Sequence, residues 1–105
     1  MKGLGDIVKQ AQQLQERLQQ VQQEAGNKIV EVSSGGGMVT ARVNGRLEIV
    51  DLKIDATVID AKDADMLRDL VMAAVNEGVR RAQQMVGEEM SKLTGGLNLK
   101  IPGLG

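Results

Sequence analysis

The sequence contains no cysteine, no histidine and no aromatic residue. Without cysteine, the chain can form no disulfide bond and offers no thiolate to a metal ion. Without histidine, it lacks the commonest general base and metal ligand of proteins. A nucleophile would have to be a serine or threonine assisted by lysine or a carboxylate. These absences predict a protein that is not an enzyme and that carries no metal or other cofactor.

The missing aromatic residues also limit the core, because aromatic side chains usually supply its largest single burials. In a chain of 105 residues, aliphatic side chains must fill that role. A monomer of this size buries only about 60–65% of its unfolded surface. We therefore expect an obligate oligomer in which two copies pool their small cores. No apolar run is long enough to cross a membrane, which predicts a soluble, intracellular protein.

The first part of the chain has the pattern of one long, narrow-striped helix over residues 4–26. Its apolar residues recur at steps of three and four, which is a heptad repeat. We call this stripe the seam, and its members are Leu4, Ile7, Ala11, Leu14, Leu18, Val21 and Ala25. Most of the remaining surface is glutamine. The pattern predicts a rod whose seam packs on a partner helix, with the second long helix of the sequence as the expected partner.

Residues 28–54 change to the pattern of β-strands. Segments 28–34 and 38–43 are separated by three glycines, which predict a hairpin loop and lack the Lys-Ser/Thr of a phosphate-binding loop. Asn44-Gly45 then gives a strong hairpin signal before a further strand, 46–54. The segment therefore predicts a three-stranded antiparallel meander.

The second hairpin requires a particular loop length. A two-residue turn would place the apolar face of segment 38–43 beside charged residues of the next strand. A three-residue loop brings Leu47 and Ile49 to that face instead. A bulge near residues 50–51 would keep the later apolar residues on the same face. We therefore expect a three-residue loop and one bulge.

The helical pattern returns over residues 60–94, with Asp60 and Asp63 as candidate N-caps. Its broad apolar face consists of Leu67, Leu70, Val71, Ala74, Val75, Gly78, Ala82, Met85, Val86 and Leu93. The tail 95–105 begins with a glycine pair, which predicts the end of the helix, and contains the one proline. Residues 1–94 thus predict a single α+β domain in the order α-β-β-β-α.

Charge is unevenly distributed along the chain, although the formal net charge is only −1. Residues 55–79 carry two basic and six acidic side chains, whereas segments 1–54 and 80–105 carry net charges of +1 and +2. The acidic segment is best explained as a solvated helix start and not as a cation site. The two segments that lean basic are those that contain most of the helical rods.

Four segments of the sequence look familiar in their order and spacing. They are VKQAQQLQERLQQVQQE at 8–24, LKID at 52–55, LRDLVMAAVNEGVRRAQ at 67–83 and EEMSKLTGGLNLKIPGLG at 88–105. Over the whole chain they resemble the YbaB/EbfC family of small bacterial nucleoid-associated proteins. The resemblance implies an intertwined homodimer with projecting helical arms, which binds duplex DNA and alters its conformation. It also implies a cytoplasmic protein that associates with the nucleoid and affects nucleoid organisation and gene expression.

The expected DNA contacts combine cations with glutamine amides, because both donate hydrogen bonds to phosphate oxygens. Such contacts predict binding with low sequence specificity. The candidate DNA-binding residues, which lie outside the apolar stripes, are Lys2, Lys9, Arg17, Arg80 and Arg81. The residues expected in the helix seam or in dimer packing are Leu14, Leu18, Val21, Leu70, Ala74 and Gly78. Arg42 and Arg46 on the sheet are weaker candidates.

Other functions fit the sequence less well. Single-stranded nucleic acid is disfavoured because the chain has no aromatic ring for base stacking. Paired helical rods also suit a prefoldin-like chaperone, which would expose apolar residues at the rod tips, or a protein–protein adaptor. The expected partners are double-stranded DNA and a second copy of the chain, with neither a membrane nor a small-molecule substrate.

Overall fold

The protein is described by a computed structural model that covers the backbone of residues 3–96 and the side chains of residues 3–93. Its main elements are α1 (Leu4–Asn27), β1 (Ile29–Ser34), β2 (Val39–Asn44), β3 (Ile49–Ile54) and α2 (Ala64–Gly96). This order confirms the predicted α-β-β-β-α architecture. The molecule is elongated, with extents of 76 × 24 × 16 Å. Within the described residues, no helix is both long and apolar enough to cross a membrane.

The strands form one antiparallel sheet in the order β1-β2-β3. β1 and β2 pair from Ile29–Asn44 to Ser34–Val39, so the three glycines lie in the hairpin loop as expected. Gly35, Gly36 and Gly37 have φ angles of 60°, 69° and 96°. Glycine adopts this left-handed region at little cost because it has no Cβ atom. The glycine run is therefore a requirement of this loop.

The second hairpin has the predicted loop length and the predicted bulge. The Asn44 backbone N–H donates to the Glu48 carbonyl at 3.0 Å, which leaves three residues in the loop. Val43 pairs with Ile49 and Arg42 with Asp51, so Val50 is the extra residue of the bulge. The loop begins one residue later than expected. Leu47 consequently lies in the loop, at φ 63°, and not opposite the apolar face of β2.

α2 lies on β1 and β2 because its central contact surface is made of small residues. Ala74, Gly78 and Ala82 are buried at intervals of four residues, on one side of the helix. Ala74 packs with Val39 and Ala41 in the core. Side chains of this size let the helix axis approach the sheet closely. β3, by contrast, has few contacts with α2.

The start of α2 differs from the sequence-based expectation. The Asp60 carboxylate accepts a hydrogen bond from the Lys62 backbone N–H at 3.0 Å and caps a 3₁₀ turn, Ala61–Asp63. The α-helix begins only at Ala64. The Asp60 carboxylate is therefore explained by local capping.

Two glycines of α2 test this packing in opposite directions. A Cβ atom at Gly78 would lie 2.7 Å from Val43 Cγ2, whereas a Cβ atom at Gly87 would have no neighbour within 4 Å. We expect Gly78→Ala to lower the free energy of unfolding by about 1–3 kcal/mol. Gly87→Ala should raise it by about 0.5–1 kcal/mol, because alanine is the better helix former. Urea denaturation followed by circular dichroism at 222 nm would measure both. Equal effects of the two variants would contradict the close approach at Gly78.

Candidate nucleic-acid interface

The exposed surface of α1 is the part of the molecule that most resembles a binding arm. Exposure of the seam rises along the helix from Ala25 (1%) through Leu18 (39%) and Leu14 (38%) to Ile7 (62%) and Leu4 (81%). α1 contacts α2, as the sequence predicted for the rod. That contact covers the C-terminal end of the seam and leaves its N-terminal end in solvent. The first turns of α1 therefore project from the body.

A glycine contact fixes the direction in which this arm leaves the body. Gly45 lies so close to the end of α1 that a Cβ atom there would overlap the carbonyl group of Ala25. The Gly45 N–H donates to the Lys28 carbonyl at 3.1 Å. Arg46 packs against Gly26, where a Cβ atom would lie 3.1 Å from its Nη1 atom, and donates to the Asn27 side chain at 3.1 Å. The β2–β3 loop thus clamps the last turn of α1.

The loop itself is organised by one buried amide. Asn44 is 3% exposed, and its Oδ1 atom accepts hydrogen bonds from the backbone N–H groups of Arg46 (2.9 Å) and Glu48 (3.0 Å). Its Nδ2 atom donates to Glu48 Oε1 at 2.9 Å. The hydrogen bonds from Asn44 and Arg46 lower the pKa of the Glu48 carboxyl. Asn44 therefore determines the loop conformation against which α1 packs.

An ion pair makes a second connection between the arm and α2. Lys28 Nζ lies 2.5 Å from Glu89 Oε1, and Lys92 Nζ lies 3.5 Å from the same oxygen. The hydrogen bond from Lys28 is the main reason why the pKa of Glu89 is lowered. Because Lys28 directly follows α1, this pair joins the base of the arm to the second half of α2.

The predicted cations of α1 are accessible. Lys9 and Arg17 are exposed, and no carboxylate of the described residues pairs with either one. Arg17, Gln13 and Gln20 contribute to a shallow depression of about 460 Å³ on the helix surface. The outer glutamines are exposed as well, namely Gln12, Gln13, Gln19, Gln20 and Gln23. Lys2 lies outside the described residues.

The predicted cations of α2 are paired. Arg80 and Arg81 are both exposed, and both form ion pairs with Glu77, Arg81 Nε at 3.4 Å. Arg80 and Arg81 follow Glu77 by three and four residues, the spacings at which opposite charges pair on a helix, so the sequence carries a signal for both ion pairs. The three residues together carry a charge of +1. This group therefore attracts phosphate less strongly than two free arginines would.

The arginines of the sheet are also neutralised by neighbours. Arg42 Nε lies 3.9 Å from Glu31 Oε1, and the strand register places Asp51 on its other side. Arg46 Nε lies 2.9 Å from Glu48 Oε1. Both arginines are therefore close to carboxylates of the sheet and its loop, and neither belongs to the α1 surface. Within residues 3–93, the unpaired cations that sequence reasoning left out are Lys53 and Lys62, which lie exposed on β3 and before α2.

The residues assigned to packing fall into two groups. Leu14 and Leu18 remain exposed on the seam, and Val21 is half-buried. Leu70, Ala74 and Gly78 all face the chain's own sheet and its loops. Leu70 is half-buried beside the core, and its backbone carbonyl accepts a hydrogen bond from Ser34 Oγ at 2.6 Å. No group of three acidic side chains within residues 3–93 is arranged to hold a metal ion.

Comparison with known proteins identifies the family of this chain. The sequence profile of the YbaB/EbfC DNA-binding family matches residues 1–97. The chain belongs to the YbaB/EbfC family. The profile extends over both long helices and the sheet, so family membership applies to the whole described fold.

Relatives in this family are similar over nearly their full length. A nucleoid-associated protein of Thermoanaerobacter pseudethanolicus is 50% identical over 101 residues, which are 96% of this chain and 89% of the relative. One from Syntrophobacter fumaroxidans is 49% identical over 100 residues, or 92% and 91% of the two chains. The crystal structure of an uncharacterized protein from Helicobacter pylori matches with a TM-score of 0.68 at 25% identity. That match covers 94% of this chain and 100% of the other.

The ion pair at the base of the arm predicts a pH dependence. Because the pKa of Glu89 is lowered from 4.5 in the folded protein, its ion pair stabilises the fold above pH 4.5. That contribution is lost as the pH falls through the lower, folded-state pKa. We expect Glu89→Gln to flatten the decline of stability below pH 4.5, measured by urea denaturation at a series of pH values. Glu88→Gln is the matched control, because Glu88 has no ion pair within the described residues. The same pH profile for parent and Glu89→Gln would contradict this role.

Proposed function

We propose that this chain is a nucleoid-associated protein that binds duplex DNA as a homodimer, with low sequence specificity, and alters the conformation of the DNA. The observation that carries the proposal is the projecting α1 surface with its unpaired cations, in a chain of the YbaB/EbfC DNA-binding family. In this proposal the protein is cytoplasmic and associates with the nucleoid. It affects nucleoid organisation and gene expression. The role is one of binding and not of catalysis.

The composition of α1 supports weak sequence preference. Its exposed surface offers amide groups and two unpaired cations and has no dense basic face. Contacts of lysine and arginine with phosphates give affinity without reading the bases. Two arms of a dimer would bring twice as many such contacts to one duplex, which raises the overall affinity through multivalency. The paired arginines Arg80 and Arg81 would contribute less to the DNA affinity than Lys9 and Arg17.

The proposed homodimer is supported by apolar surface that one chain leaves uncovered. On β3 and around the start of α2, side chains between 38% and 61% exposed are Ile49, Val50, Leu52, Ile59, Met66 and Met72. An apolar groove of about 550 Å³ runs beside Ile59, Leu67 and Val71. Exposed apolar surface of this kind typically marks an interaction site. β3 is also an edge strand with unpaired backbone groups. A second copy would cover both.

A prefoldin-like chaperone is the second candidate, and one observation favours it. Leu4, Ile7 and Val8, near the tip of the arm, are each more than half exposed. Such a tip could hold an unfolded chain. Family membership places DNA binding first. A gel-shift titration with and without a denatured client protein separates the two functions, because a DNA-binding protein shifts the duplex in the presence of the client, whereas a chaperone binds the client and gives no shift.

The cations of α1 provide the main test of DNA binding. We expect Lys9→Gln with Arg17→Gln to weaken binding to all duplex sequences alike. If all four altered sites of a dimer contact phosphates, the slope of log affinity against log salt should become less negative by about 3.6. Fluorescence anisotropy with a labelled duplex over a series of salt concentrations would measure both quantities.

The matched control is Lys53→Gln with Lys62→Gln, which removes the same charge from exposed, unpaired lysines away from the arm. This control should keep the parent slope and the sedimentation mass of the parent, which is checked because both lysines lie beside the surface assigned to the dimer. Equal losses in both double variants would show that net charge, and not the α1 surface, determines binding. An unchanged slope in the α1 variant would mean that Lys9 and Arg17 do not meet the phosphates.

The dimer is tested by sedimentation equilibrium at low micromolar concentration. The parent should show a mass of about twice 11.2 kDa, as expected for two pooled cores. Ile59→Glu with Met72→Glu places charges on the apolar surface and should shift the mass to that of one chain. Ile29→Glu, on the opposite face of the sheet, is the control and should remain dimeric. A folded parent monomer at this concentration would contradict the proposed dimer.

A further inference from the structure

The seam of α1 is uncovered over most of its length, although its pattern is that of a helix with a partner. Its exposed part, which we call the free seam, comprises Leu4, Ile7, Ala11, Leu14 and Leu18. These residues keep strict heptad spacing over about 21 Å of helix. α2 contacts α1, but it does not cover the N-terminal turns of α1. Scattered exposed leucines need no explanation, whereas a periodic apolar stripe is unusual on a free helix.

The residues that flank the free seam indicate what kind of partner fits it. In a coiled coil the flanking positions meet the flanks of the partner helix, and their charges select which helix is accepted. The flanks here are Val8, Gln10, Gln15 and Arg17. Arg17 is the one charged residue among them. Two identical seams could therefore pair without a row of like charges facing one another, and glutamine amides can both donate and accept across the contact.

We propose that the free seam of α1 binds the free seam of a second copy of the chain, and that this contact links one dimer to another. The uncharged flanks permit self-pairing, and the heptad spacing supplies the interdigitating side chains. Lys9 lies on the side of α1 opposite the seam, so its contact with phosphate would persist in the paired state. The linkage of dimers rests on the homodimer proposed above, whereas the seam contact itself does not.

The location of the free seam determines the form of the assembly. It lies near the tip of α1, far from the apolar surface of β3 and the start of α2 that we assign to the dimer. Each contact joins two equivalent surfaces, but a chain that uses both can join a different copy at each end. The result is an open series of dimers. Such a series would join two duplexes or spread along one.

The test replaces the two most exposed apolar residues of the free seam by glutamine, which is the most frequent residue on the rest of the α1 surface. Sedimentation velocity of the full chain without DNA, over a wide range of concentration, should show the parent associating beyond the dimer. Leu4→Gln with Ile7→Gln should weaken that association about tenfold or more, because it removes two apolar contacts from each helix. Ile29→Gln exchanges an exposed isoleucine on the sheet and should associate like the parent.

A second readout measures the linkage of duplexes. Bead-bound duplex should recover a second, labelled duplex in the presence of the parent, and the seam variant should lose this recovery while retaining its gel shift with a single duplex. Because the sedimentation measurement contains no DNA, it decides the seam contact even if DNA binding fails. The Ile59→Glu and Met72→Glu variant should be monomeric at low micromolar concentration, and seam pairing should convert it into dimers at higher concentration.

Four results would overturn the proposal. The first is a parent that remains a dimer at every concentration, and the second is a seam variant that associates as strongly as the parent. Association that arises only after deletion of residues 97–105 would show that the C-terminal segment of the same chain occupies the seam. Recovery of labelled duplex by the seam variant at the parent level would likewise exclude the free seam as the link between dimers.

Discussion

The close contact between Gly45 and the last turn of α1 is the constraint on which the shape of the molecule depends. A side chain at Gly45 would collide with the carbonyl group of Ala25, so the helix can rest on the hairpin only where glycine stands. Asn44 holds the loop in place by three hydrogen bonds. A short turn in the sheet thereby sets the direction of a helix of 24 residues. The proposed binding surface is formed far from the residues that orient it.

Most of the fold could be predicted from the sequence, because its elements follow from local patterns. The heptad steps of α1 and the alternation of the strands were sufficient, and the bulge at Val50 followed from keeping Leu52 and Ile54 on one face. The starting point of the second loop was missed. Four backbone N–H groups there find their acceptors through Asn44 and Lys28. The bond from Gly45 to the Lys28 carbonyl joins two segments that no local pattern connects.

The candidate site was predicted less completely, for electrostatic reasons. Sequence alone indicates which residues carry charge, but the availability of that charge depends on neighbours in space. Lys9 and Arg17 are free of carboxylate partners within the described residues, whereas Arg80 and Arg81 share Glu77. Arg46 has a structural role, because it donates a hydrogen bond to the Asn27 side chain at the end of α1. These differences divide a set of equivalent candidates into an accessible group on the arm and a compensated group on the body.

The position of Gly78 has a mechanical consequence. α2 rests on the sheet around this residue and continues for 18 further residues to Gly96, or about 27 Å. A helix anchored near its middle acts as a lever, so a tilt of about 10° at the sheet would move its C-terminal end by about 5 Å. Because α1 contacts α2 while the β2–β3 loop holds its last turn, such a tilt would change how the two helices pack. In the proposed dimer, the distance between the C-terminal ends of the two α2 helices would therefore depend on the contact of Gly78 with the sheet.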